Sequence, residues 1–129
     1  AKLLGERPAG TLPVLDFEAA REAHAAVRRG VVSGALASAH DIAEGGIAVA
    51  LAECCVAGEV GATVSLPERL NEFAEAPGRA FIVSGSAEAL DGFAVIGRVG
   101  GDSLELEGTL EVPVSDLREA FEHGLTGFV

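Results

Sequence analysis

Residues 39–53, AHDIAEGGIAVALAE, combine a histidine, acidic side chains and two glycines just before an apolar run typical of a helix. We expect His40 and Asp41 at the end of a strand, and Gly45 and Gly46 at the start of that helix. The free N–H groups at a helix start carry partial positive charge and can bind phosphate. Glycine would let such a ligand approach the backbone closely. This segment is therefore the first candidate for an anion-binding site.

The acidic side chains of the same segment have a second possible use. Asp41 and Glu44 could hold Mg²⁺ through water or accept hydrogen bonds from ribose hydroxyls. The segment is neither a GxGxxG fingerprint nor a P-loop, since no GK[ST] occurs anywhere in the chain. The spacing equally fits an ordinary helix that follows a glycine turn, with His40 as a structural residue. From the spacing alone, the anion-binding and the structural interpretations both stay open.

A second candidate is residues 72–79, EFAEAPGR, which precede an apolar run typical of a buried strand. Arg79 follows Gly78, and a single arginine in such a loop can bind phosphate through two parallel hydrogen bonds. Glu75 could orient a hydroxyl group or a metal ion. The alternative is an ordinary loop in which Arg79 pairs with a surface carboxylate.

Other reactive side chains point to packing or to solvent. No serine lies in a GxSxG context, and no CxxC motif or Cys/His cluster indicates a zinc site. The adjacent Cys54 and Cys55 fall within an apolar helical run, where a role in the core is expected. We expect His24 and His123 on solvated helix faces. The sequence therefore predicts no metal site and no catalytic nucleophile.

The elements that would position these residues can be read from apolar periodicity and turn residues. The predicted helices run from an N-cap at Asp16 to a stop at Gly30, from Gly46 to Gly58, over residues 69–75, and from a capping box at residues 115–119. The predicted strands cover residues 35–39, 62–66, 80–84, 93–99 and 104–107. Glu105, Glu107 and Glu111 would form the wet face of a sheet. We expect an α+β fold with a mixed, roughly four-stranded sheet covered by helices.

Length and composition limit the functions that this chain could have. The chain has 129 residues, 49% of them hydrophobic, which suits one folded domain or one piece of a larger protein. Its formal net charge of −11 repels nucleic acid and anionic lipid at long range. No stretch of about 20 apolar residues could span a membrane, and no signal-peptide pattern is present. Two adjacent thiols indicate a reducing compartment, so we expect a cytoplasmic location.

The segment of residues 39–53 also resembles the signature of a known family. Residues 39–53 are similar to the AHDvSDGGLAVALAE signature of phosphoribosylformylglycinamidine synthase, synthetase subunit, differing at Ile42, Ala43, Glu44 and Ile47. Weaker matches follow the family order: residues 3–5 look like "LLG", residues 13–16 like "PxLD", residues 73–79 like "LFgEapgR" and residues 96–99 like "IGxV". The resemblance covers roughly residues 3–123.

The resemblance implies a larger enzyme built from two pairs of related domains, each with an ATP-binding half and a helix-and-sheet half. This plan also occurs in aminoimidazole ribonucleotide synthetase. Residues 1–129 would be the last helix-and-sheet half, a single domain at the C-terminus. The implied reaction is the amination of formylglycinamide ribonucleotide, in which ATP activates the amide oxygen, Mg²⁺ neutralises phosphate charge, and glutamine-derived ammonia displaces the phosphate.

The resemblance also implies partners and a site. The family's catalytic histidine and most of its Mg–ATP ligands lie upstream, so no catalytic residue is carried over to this chain. The partners would be the ATP-binding and sister domains, a glutaminase subunit and a small accessory subunit. By internal pseudo-symmetry, Glu75, Gly78 and Arg79 would face a second, auxiliary nucleotide cleft. The candidate ligand-binding residues are therefore His40, Asp41, Gly45, Gly46, Glu75, Gly78 and Arg79.

Two other interpretations stay open at this stage. The chain could be a domain of another ATP-dependent synthetase of the same superfamily. It could instead be a free-standing interaction module without a ligand, which would be a monomer with no exposed apolar face. A synthetase domain should carry such a face, because it packs against the rest of its enzyme.

Overall fold

A computed structural model describes residues 14–67 and 70–124, and these ranges contain three helices and six strands. The helices are α1 (Phe17–Val32), α2 (Gly46–Gly58) and α3 (Val114–His123). The strands are β1 (Leu36–Asp41), β2 (Ala62–Val64), β3 (Phe81–Gly85), β4 (Gly97–Val99), β5 (Ser103–Leu106) and β6 (Leu110–Pro113). The family-like residues 3–5 lie outside the described ranges.

The strands form two sheets. β1 and β3 make an antiparallel pair, and the other four strands form a sheet in the order β4-β2-β5-β6. Within the larger sheet β2 and β5 are parallel, while the other neighbours are antiparallel. The predicted α+β class and mixed four-stranded sheet are therefore confirmed, and the two-stranded sheet is an addition to that prediction.

The core lies between α2 and the larger sheet. From α2, Ala50, Leu51 and Cys55 are buried against the inward side chains of the sheet, among which Leu104 and Leu106 are the most enclosed. β2 has only three residues, but their side chains alternate in burial as in any strand. Its two end residues face the core, and Thr63 faces solvent. Burying apolar surface contributes about 25 cal/mol per Å². The contact between α2 and the larger sheet is therefore the main source of stability.

The outer face of the larger sheet is polar across all four strands. Thr63 lies opposite Arg98 on one side and Glu105 on the other, and Glu105 lies opposite Glu111. Glu105 and Glu111 are exposed, as the wet-face prediction required, and Glu107 is exposed in the turn that follows β5. This face of the molecule is built for contact with water.

α1 begins as predicted and ends later than predicted. The Asp16 carboxylate accepts hydrogen bonds from the N–H groups of Glu18 and Ala19, both at 3.0 Å. The helix passes through Gly30, which is thus wrongly predicted as a stop. A Cβ at this position would lie 2.6 Å from the Leu36 side chain, so glycine serves the packing of β1 against α1.

The predicted helix over residues 69–75 is wrong for the described residues 70–75, which form turns. The Asn71 side chain accepts a hydrogen bond from the Phe73 N–H, and the Asn71 carbonyl accepts one from Ala74. Asparagine competes with helix formation in this way, because its side chain satisfies nearby backbone donors.

Boundaries in the last third also differ from the prediction. The strand predicted over residues 93–99 contracts to β4, and β6 was not predicted. α3 begins after Pro113, not at the predicted capping box, because the Ser115 hydroxyl donates to Asp116 and the Val114 N–H donates to the Asp102 carbonyl. The turn at residues 100–102 joins β4 to β5 without pairing them, since β2 lies between them.

Candidate functional site

His40 and Asp41 are neighbours at the end of β1, and their side chains have different surroundings. His40 faces α2, where its Nε2 lies 3.3 Å from Oε2 of Glu53, while its Nδ1 donates to the Asp41 carbonyl at 2.7 Å. Both ring nitrogens are therefore engaged, which is the arrangement that the structural interpretation of His40 anticipates. Asp41 pairs in register with Phe81, and this places both of them on the face that α1 covers.

Backbone from a second segment crosses the start of α2. Gly45 and Gly46 have φ values of 82° and 72°. A Cβ on Gly46 would lie 2.5 Å from the carbonyl carbon of Phe73, and the Ala48 N–H donates to the Glu72 carbonyl at 3.0 Å. The N–H of Gly46 also has a partner, the carbonyl of Ala43. The helix start thus offers an anion fewer donors than its sequence predicts.

The two candidate segments meet at Ile42. Its N–H donates to the Ala80 carbonyl at 3.1 Å, and its carbonyl accepts from the Ala76 N–H at 3.2 Å. These bonds extend the pairing of β1 with β3 into the loop of residues 75–79. Arg79 lies at the end of this loop and donates to the Glu75 carbonyl at 3.3 Å. The Glu75 side chain itself is exposed.

An open groove of about 490 Å³ lies where α1 crosses the end of β1. Its lining residues are His24, Val27, Ala39, His40, Asp41, Gly78 and Phe81. It therefore unites three of the predicted residues, His40, Asp41 and Gly78. Gly45, Gly46, Glu75 and Arg79 do not line it.

Sequence reasoning missed His24 as a groove residue. Its Nε2 lies 3.0 Å from the Gly78 carbonyl oxygen, and its ring meets Phe81 edge-on with centroids 4.9 Å apart. Although His24 is exposed, as predicted, its ring has specific partners. The available signal was its place in the apolar repeat of α1, four residues after Ala20 and three before Val27.

The thiols and carboxylates do not form a reactive centre in the described residues. Burial raises the pKa of both Cys54 and Cys55, and the neighbouring Cys55 and Glu53 raise the pKa of Cys54 further. These thiols are therefore poor nucleophiles at neutral pH. Within residues 14–67 and 70–124, no three His, Cys, Asp or Glu side chains come together as metal ligands. None of the helices in these ranges has the length and apolar character needed to cross a bilayer.

Comparison with known proteins gives matches over most of the chain. The family model for AIR synthase related protein, C-terminal domain, matches residues 5–109. Phosphoribosylformylglycinamidine synthase subunit PurL of Anaeromyxobacter sp. (strain Fw109-5) is 37% identical over an alignment 144 residues long, gaps included, which covers 92% of this chain and 19% of the relative. The same subunit of Thermomicrobium roseum is 34% identical over an alignment 135 residues long, gaps included, which covers 91% of this chain and 18% of the relative.

Solved structures share the fold. T. maritima PurL complexed with FGAR superposes with a TM-score of 0.64 at 21% identity, over 81% of this chain and 22% of that one. T. maritima PurL complexed with ATP gives a TM-score of 0.58 at 22% identity, over 73% of this chain and 20% of that one. The chain thus spans about a fifth of the length of the relatives that it matches.

Proposed function

Because the chain belongs to the family of AIR synthase related proteins, C-terminal domain, we propose that it is the C-terminal domain of a phosphoribosylformylglycinamidine synthase. That enzyme would aminate formylglycinamide ribonucleotide in purine biosynthesis, with ATP and with ammonia derived from glutamine. The proposal draws on relatives that cover nearly the whole of this chain and carry this one name. The proposal includes a cytoplasmic location.

We propose that the chain alone is inactive. Its two thiols have raised pKa values, which makes them poor nucleophiles at neutral pH. Activity would need the ATP-binding and sister domains of a longer polypeptide, together with the glutaminase and small accessory subunits as partners. The relatives are named as subunits, which supports an assembly of this kind.

The contribution of this chain would be one wall of an auxiliary nucleotide cleft. The observation that carries this proposal is the backbone pairing at Ile42, which brings Asp41 and the loop of residues 75–79 to one place. Arg79 would bind phosphate, because its guanidinium has five N–H donors and donates to a single carbonyl in the described part of the chain. Gly78 would let the ligand approach the backbone.

The other predicted residues would support this wall. His40 would hold the end of β1 against α2 through Glu53. Gly46 would allow residues 72–73 to cross the helix start, and Gly45 would leave room for the Val49 side chain. Glu75 would present its carbonyl to Arg79. We assign no Mg²⁺ ligand to this chain, since its described residues do not supply a set of three; when bound, Mg²⁺ would neutralise phosphate charge.

The alternative of a free-standing interaction module predicts no exposed apolar face, and the structure argues against it. Val14 is 94% exposed and Phe17 is 72% exposed. A domain of another synthetase in the superfamily would also expose such residues. The synthase is favoured over that alternative by the names of the relatives.

Arg79→Ala in the complete enzyme tests the cleft. We expect nucleotide affinity at the second cleft to fall by roughly ten- to a hundredfold, the value of one charge-assisted hydrogen-bond pair. The measurement is the amount of ADP that the purified enzyme retains, together with the stabilisation that added ADP gives. Arg98→Ala is the matched control, because Arg98 is exposed on the outer sheet face. Unchanged occupancy and stability in the Arg79 variant would refute the cleft proposal.

A further inference from the structure

We infer that the groove beneath α1 binds the ribose hydroxyls of the nucleotide, with Asp41 and His24 as hydrogen-bond acceptors. The inference rests on the auxiliary cleft proposed above and specifies which part of the nucleotide the groove takes. It assigns a binding role to His24, which the sequence placed on a solvated face. It follows from three properties of the groove: its carboxylate, its imidazole and its lack of a cation.

The carboxylate is Asp41. Its register opposite Phe81 places it on the α1 side of the two-stranded sheet, and its side chain is 55% exposed. The nearest basic side chain that the structure gives it is the His40 ring, whose Nδ1 lies 3.9 Å from Oδ1 and already donates to the Asp41 carbonyl. Both carboxylate oxygens can therefore accept hydrogen bonds from a ligand, and a vicinal diol supplies two donors.

The second acceptor is Nδ1 of His24. The Gly78 carbonyl oxygen can only accept, so Nε2 of His24 must carry the proton that joins them at 3.0 Å. In the neutral ring Nδ1 then has a free lone pair. Among the described residues it has no hydrogen-bond partner. The edge-on contact with Phe81 fixes the plane of the ring, so this lone pair has a defined direction.

The groove is unsuited to phosphate. No Lys or Arg is among its lining residues, and Asp41 would repel an anion. Val27, Ala39 and Phe81 supply apolar walls, as ligand sites commonly do, and the volume of about 490 Å³ is in the range of such sites. Arg79 follows directly on the lining residue Gly78 in the chain. A nucleotide can thus place its sugar in the groove and its phosphates towards Arg79.

The test compares ADP with 2′,3′-dideoxy-ADP by equilibrium titration of the intact polypeptide that carries this sequence. The second cleft is identified as the class of sites that weakens in Arg79→Ala. We expect that class to prefer ADP by roughly ten- to a hundredfold, because a carboxylate would lose two charge-assisted partners. Asp41→Ala should remove this preference. Asp91→Ala is the matched control, since Asp91 is an exposed aspartate outside the groove.

A second variant keeps the test decisive if Asp41→Ala does not fold. His24→Phe keeps an aromatic ring beside Phe81 and removes both ring nitrogens, and it should also reduce the preference for ADP. Equal affinity of the wild-type second cleft for both nucleotides would overturn the inference and leave the cleft proposal standing. A titration with no class of sites sensitive to Arg79 would overturn both. Loss of the preference in Asp91→Ala as well would also count against the assignment.

Discussion

Gly46 shows how strictly one position at the start of α2 is constrained. Its φ is 72°, and an added Cβ would lie 2.5 Å from the Phe73 carbonyl carbon. That backbone cannot retreat without stretching the hydrogen bond from Ala48 to Glu72. We expect Gly46→Ala to lower the free energy of unfolding by about 2–5 kcal/mol, as backbone strain and overlap add together. Chemical denaturation of the chain measures this change.

Gly92→Ala separates these two costs. Gly92 has a φ of 85°, but nothing lies within 4 Å of the Cβ that alanine would add. Strain alone should cost about 1–2 kcal/mol there. Equal losses in the two variants would mean that residues 72–73 move aside freely, and the close packing at the helix start would then not matter for stability.

Side-chain roles could be predicted where they depend on near neighbours. The Asp16 cap is such a case, because its acceptors and donors lie within three residues. The partner of His24 is 54 residues away, at Gly78, and no local pattern could reveal it. His40 and Glu53 stand near the two ends of the signature segment, and only the turn between β1 and α2 brings them together.

Within the larger sheet, β5 and β6 place two like charges side by side. Glu105 and Glu111 are directly opposite in an antiparallel pair, and both are exposed. Like charges in this position repel, so we expect Glu111→Lys to raise the free energy of unfolding by roughly 0.2–1 kcal/mol. The gain should shrink in high salt, which screens exposed charges. Denaturation at low and at high ionic strength provides the measurement.

Glu107→Lys is the control for the pair. It makes the same change in net charge, but Glu107 lies in the turn after β5 and outside the register that pairs β5 with β6. If both variants gained the same stability, the effect would come from the overall charge of −11 and not from the pairing of β5 with β6.

Elements with a strong apolar pattern could be predicted, and those fixed by tertiary contacts could not. α2 was predicted with both ends because its apolar run lies between glycines. β6 was missed because LEVP is short and ends in proline. The sheet order was not predictable either. β2 lies between β4 and β5 although the turn at residues 100–102 connects those two strands directly, and no local sequence signal encodes that insertion.

The molecule exposes both polar and apolar side chains. The outer face of the larger sheet carries Arg98, Thr63 and two glutamates. Elsewhere Val14, Phe17 and Phe121 are 94%, 72% and 68% exposed. A chain that worked alone would be expected to bury such residues, because exposed apolar surface favours association. These exposed side chains fit a domain that other parts of a larger protein cover.

The mass of the native product is the prediction at this scale. The chain spans 19% of its PurL relative, so the native polypeptide should be several times heavier than 13.1 kDa. An antibody against this chain, used on a denaturing gel of the source cells, measures that mass with the purified chain as marker. A native product of the marker's size would contradict the proposal of a complete enzyme containing this domain.

In a heavier product, Phe17 should resist surface labelling that modifies it readily in the isolated chain, because the partner domains would then cover it.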